Sequence, residues 1–94
     1  MSMSIEVKVD LQGADNGVGW ATVADHTEDL RAIREGGLWL LVAGPSDEHR
    51  GSGATLKLAA KRLTLAMGRP TGGTVGTLEV RREDKGDQGR TYAF

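Results

Sequence analysis

His26 and His49 are the only histidines in the chain, and each stands among carboxylates: Asp25 and Glu28 near the first, Asp47 and Glu48 near the second. An imidazole beside a carboxylate is the raw material of a metal site or of general acid–base catalysis. Neither set has the i, i+4 spacing that puts two ligands on one helix face, and the two lie in segments read as a helix cap and a loop. No metal site is therefore expected. Ser46, Ser52, His49 and Asp47 are the residue types of a nucleophilic triad, but crowded into one loop they are poorly placed for three directional hydrogen bonds. Gly51-Ser52-Gly53 is not a nucleophile elbow. Cysteine is absent, which removes thiolate catalysis, disulfides and Cys-based metal centres. The expectation is a non-enzymatic chain with no catalytic residues and no cofactor.

Gly51-Ser52-Gly53-Ala54-Thr55 precedes a helical pattern, as a phosphate loop would. Ala54 stands where the phosphate-binding lysine is required, and the first glycine is displaced to Gly44. Charge points the same way more broadly. Residues 1–49 hold nine acidic side chains and three basic ones, whereas residues 50–69 hold Arg50, Lys57, Lys61, Arg62 and Arg69 with no acid at all. Arg50, Lys57, Lys61 and Arg62 are thus the candidate contacts for a polyanion. The run GSGATLKLAAKR resembles the start of the second helix of double-stranded-RNA-binding domains. In that family a glycine-rich turn and a lysine cluster meet phosphates, and the resemblance implies the same for this segment. It covers twelve of the 94 residues. Leu56 stands where a lysine of that cluster is usual, and the family's upstream three-stranded sheet is interrupted here by a predicted helix at 28–35. Trp20, Trp39, Tyr92 and Phe94 are read as core residues, not as a row for stacking bases.

On a helical wheel Leu56, Ala60, Leu63 and Met67 form a core stripe, flanked by Lys57, Lys61 and Thr64. Leu58 and Leu65 fall nearly opposite. A helix apolar on two faces must be covered twice or offer one face to a partner, so Leu58 and Leu65 are the expected protein interface.

These residues need elements to position them. Ile5, Val7, Val9 and Leu11 alternate with Glu6, Lys8 and Asp10 and predict a half-buried strand. Asn16-Gly17 predicts a tight turn back into a strand at 20–24, with Gly13 opposite Trp20. Asp25-His26-Thr27-Glu28 has capping-box spacing, and Leu30, Ala32 and Ile33 continue it as a short amphipathic helix ending at Gly36-Gly37. Leu38–Ala43 lacks polar alternation and reads as a central strand covered on both faces. Residues 46–53 read as a loop, 54–67 as the long helix closed by Gly68 and Pro70, and 77–81 with 90–94 as a hairpin turning within 83–89. The expected fold class is a small two-layer α+β sandwich. Its order is ββαβαββ, with a mixed or antiparallel sheet of four or five strands and two helices. It forms one domain over 1–94, with a disordered N-terminus at 1–4.

Leu, Ile, Val and Phe make up about a fifth of the chain, just above the composition at which disorder is the default. Charged residues are 27% and the net charge is −1, as expected of a folded chain. No apolar run approaches the ~18 residues that span a bilayer, and the first residues lack the regions of a signal peptide, so membrane partners are excluded and a cytoplasmic location is expected. The Ala-, Gly-, Arg- and Asp-rich, Lys-poor vocabulary suggests an actinobacterium or one of its phages. The functional expectation is a self-associating protein-interaction module, an accessory protein acting as a homodimer. The alternative is a small nucleic-acid-binding protein using the basic helix.

Overall fold

The computed structural model describes residues 4–24, 26–68, 75–82 and 89–93. The elements are β1 (Ser4–Leu11), β2 (Asn16–Val23), β3 (His26–Glu35), β4 (Leu38–Ala43), β5 (His49–Gly53), α1 (Leu56–Met67), β6 (Val75–Arg82) and β7 (Arg90–Ala93). The strands form one sheet in the order β5-β4-β3-β2-β1-β6-β7. Only β1 and β6 run parallel; the other five pairings are antiparallel. The expected sandwich of four or five strands and two helices is therefore corrected to a mostly-sheet fold, with one helix among the described residues. Of the expected disordered segment 1–4, residues 1–3 lie outside the described residues and Ser4 opens β1.

The segment predicted as a short helix is strand β3. Leu30 and Ala32 are buried on one face while Asp29, Arg31 and Ile33 are exposed on the other, so the spacing that fits a helix at Leu30, Ala32 and Ile33 is resolved as period two. Gly36 and Gly37, at φ +60° and +79°, supply the two left-handed residues of a tight hairpin and return Leu38 opposite Glu35. The predicted capping box fails with the helix: Asp25 lies outside the described residues, and Thr27 instead faces Thr22 across the strands, Oγ1 to Oγ1 at 2.7 Å.

The strand predicted at the N-terminus is present, with Ile5, Val7, Val9 and Leu11 buried on one face. Asn16 and Gly17 open β2 instead of forming the turn; residues 12–15 make the loop, and the Gln12 amide donates to the Asn16 carbonyl at 3.0 Å. Trp20 consequently lies opposite Lys8, not Gly13. The 46–53 loop is also corrected, since its second half is β5.

Register assigns every strand residue to a face. Val7, Val9, Ala21, Leu30, Ala32, Trp39, Leu41, Ala43 and Leu78 share the inner face, where they enclose Ala59, Ala60 and Leu63 of α1. The five strand glycines, Gly17, Gly19, Gly51, Gly53 and Gly76, fall on that same face. A concave surface has little room for side chains, and glycine there lets the sheet bend. A flat sheet would hold β5 and β7 about 29 Å apart at ~4.8 Å per strand. Instead Thr55 and Lys57, just beyond β5, line one groove with Val80 and Tyr92 of β6 and β7, so the sheet curls around the helix.

α1 begins two residues later than predicted. Its N-cap is Thr55, whose Oγ1 accepts from the Leu58 amide at 3.2 Å, and at its end Gly68 donates to the Thr64 carbonyl at 3.1 Å. Pro70 lies outside the described residues. Leu41, Leu63 and Leu78 are fully buried, and each such side chain contributes about 1.5–3 kcal/mol of transfer free energy.

Candidate functional site

The outer face of the sheet has no layer over it among the described residues, and its apolar side chains gather on β2, β3 and β4. Val18 on β2, Ile33 on β3 and Leu38 on β4 are 42%, 38% and 52% exposed. Trp20 and Leu40 lie half-buried among them, and Ile33 is the register partner of Leu40. Val42 completes the β4 row; it is buried in a niche beside Arg31 and Asp47, whose side chains form an ion pair at 2.5 Å. Period-two geometry explains the composition: Trp39, Leu41 and Ala43 point inward to the helix, and the intervening Leu38, Leu40 and Val42 point outward. The reading of this strand as covered on both faces is corrected, because α1 covers only one.

Charge on this patch is mixed. Asp29, Arg31 and Glu35 alternate along β3 on the outer side, and Arg31 is already paired with Asp47. The patch therefore attracts neither polyanions nor polycations as such.

The residues expected at the interface, Leu58 and Leu65, sit on the solvent side of α1 at 36% and 47% exposure. They do not form a comparable surface. Leu58 leans over Gly53, where a Cβ would meet the Leu58 Cγ at 2.7 Å. Between Leu58 and Leu65 stand Lys61 and Arg62, so two copies joined by this face would bring like charges together.

The four candidate polyanion contacts divide. Lys57, Lys61 and Arg62 are exposed on α1, and Arg62 donates to the Ser52 carbonyl of edge strand β5 at 2.8 Å. Arg50 is on β5 opposite Val42, on the outer face, and its Nε reaches the Asp47 carbonyl at 3.4 Å. The sheet thus separates Arg50 from the helix cations. Arg69 lies outside the described residues.

The two histidines converge in a way the sequence reading missed. Glu28 Oε1 lies 3.2 Å from His26 Nε2, and Glu28 Oε2 lies 3.4 Å from His49 Nε2. Once β3 is a strand, His26 and Glu28 are two apart on one face, and the turn between β4 and β5 returns His49 to the same end of the sheet. The signal was the i, i+2 spacing, hidden by the helical reading. Among the described residues no group of three or more His, Asp or Glu is arranged to hold a metal ion. No triad forms from Ser52, His49 and Asp47, since Ser52 and His49 project from opposite faces of β5 and Asp47 is engaged by Arg31.

The three-stranded sheet that the double-stranded-RNA-binding resemblance requires is not interrupted: β3, β4 and β5 run as a meander into α1. The chain nevertheless matches no protein-family model, no curated protein and no solved structure. Nothing extends that twelve-residue likeness. No helix among the described residues is long and apolar enough to cross a membrane.

Proposed function

We propose that the protein is a non-enzymatic interaction module that self-associates through the outer face of β2, β3 and β4. The observation that carries this reading is the set of three exposed apolar side chains, Val18, Ile33 and Leu38, on a sheet face that no other element covers among the described residues. A second copy is the occupant the charges favour. Asp29, Glu35 and the Arg31–Asp47 pair give the patch both signs, so a two-fold related copy meets no one-signed field, and a strongly charged partner gains nothing. Size sets the strength. Three strands by about five residues present roughly 14 Å by 16 Å, well under the ~800 Å² per partner of a standard interface even with its polar rim. Association belongs to the weak, concentration-dependent class.

Sedimentation equilibrium at several protein concentrations tests this. Ile33→Lys with Leu38→Lys is expected to leave the chain folded, since both side chains are exposed within one copy, and to hold it monomeric. Leu58→Lys with Leu65→Lys is expected to leave association unchanged. High salt is expected to preserve it, because apolar contacts are not screened. A chain that stays monomeric at every concentration, or one made monomeric only by the helix variant, overturns the proposal.

A further inference from the structure

α1 covers the inner face of the sheet unevenly. It rests chiefly on β5 and reaches β6 only marginally, leaving a groove of about 750 Å³ between its first turn and the inner side of β6 and β7. That volume lies within the ~300–1,000 Å³ of small-molecule sites. The floor is apolar: Leu78 is fully buried, Val80 is half-buried, and Tyr92, the register partner of Leu78, presents its ring at 42% exposure. Three cations stand around it, Lys57 from α1, Arg82 from β6 and Arg90 from β7. No carboxylate lines the groove among the described residues, and none of the three cations is in an ion pair among them. Arg82 and Arg90 come from adjacent strands, Arg90 opposite Val80 and Arg82 two residues beyond it, so both guanidinium groups reach one end of the floor. Among the described residues nothing pairs these three cations beside the apolar trough, whereas ordinary surface design intersperses the two signs.

We infer that this groove is a binding site for a small amphipathic anion, an acyl or aromatic body carrying one carboxylate or phosphate head. The body lies on Val80 and Tyr92 above the buried Leu78 and displaces water from them. The head is held by Arg82 and Arg90, whose planar forks match carboxylate and phosphate geometry, with Lys57 as a third charge. This site is on the opposite side of the sheet from the self-association patch and stands independently of it.

The test uses octyl phosphate and octanoate as probes, with inorganic phosphate, octanol and octyltrimethylammonium as controls. Binding is followed by calorimetry and by the ring resonances of Tyr92, the only tyrosine in the chain. Both anionic amphipaths are expected to bind saturably and shift Tyr92, whichever head they carry. Inorganic phosphate and octanol are expected to bind at least about tenfold more weakly, one lacking the body and the other the charge. Arg82→Gln with Arg90→Gln is expected to weaken both anionic probes by about tenfold or more while leaving the far-UV circular dichroism unchanged, because both side chains are exposed. Equal binding of the cationic control or of inorganic phosphate overturns the inference. So does unaltered affinity in the double variant, or binding that shifts the Trp20 indole on the outer face and not Tyr92.

Discussion

Gly51 shows how closely single residues hold the fold together. A Cβ built there would lie 2.2 Å from the Leu63 amide nitrogen and 2.4 Å from the Ala59 carbonyl oxygen. Both are backbone atoms of α1, which cannot rotate away as a side chain can, so the helix must lift from β5. Gly51→Ala is expected to cost about 3 kcal/mol, at the upper end of overpacking penalties, whereas Ser52→Ala, next along the strand on the outer face, should cost under ~1 kcal/mol. Urea denaturation of the two variants measures the difference; equal small effects would mean that the helix does not rest on this strand. In sequence, Gly51 and Gly53 in a polar stretch read as a loop. Gly51's real partner is the backbone of residues eight to twelve positions later and Gly53's is the Leu58 side chain, and no side-chain pattern announces such contacts. The approach of His26 and His49 to Glu28 was hidden similarly, by an error in the element that carries two of the three.

At the scale of elements, β1 was fully legible because its apolar and polar residues alternate on a surface buried on one side only. The pairing of the later two strands was legible too, although residues 83–88 of the turn expected within 83–89, and Phe94, lie outside the described residues. β3 was not, since Leu30, Ala32 and Ile33 satisfy both periods, and only burial separates the inward pair from the outward Ile33. In β4 the sequence reported two apolar faces correctly, but apolar is not the same as covered. That distinction is measurable. Leu41 is wholly buried against α1, and Leu41→Ala is expected to cost about 2–5 kcal/mol by lost transfer energy and cavity formation. Leu40 projects to the outer face, and Leu40→Ala should cost about 1 kcal/mol at protein concentrations low enough to keep the chain monomeric. Equal large losses at both positions in the monomer would mean that a second layer covers β4.

At the scale of the molecule, strand order was beyond the sequence. The connection from β5 through α1 carries the chain from one edge of the sheet to β1, and any of several strands could have received β6. The same topology decides how charge is displayed. A run of five cations between residues 50 and 69 suggests one basic surface, yet the sheet puts Arg50 on the outer face and commits Arg62 to the Ser52 carbonyl. Lys57 and Lys61 remain among the described residues, with Arg69 outside them, in a chain of net charge −1. Random duplex DNA or RNA is therefore expected to bind no tighter than about 10⁻⁵ M at physiological salt. With at most three phosphates engaged by this run, its contribution to the logarithmic salt dependence should be no steeper than a slope of about −2.7. Fluorescence anisotropy across a salt series checks both numbers. Submicromolar affinity with a slope near −5 would require all five cations to reach one backbone. Loss of that affinity in Lys57→Ala with Lys61→Ala would then make the basic helix a nucleic-acid contact, in place of the self-associating sheet face as the working surface of the molecule.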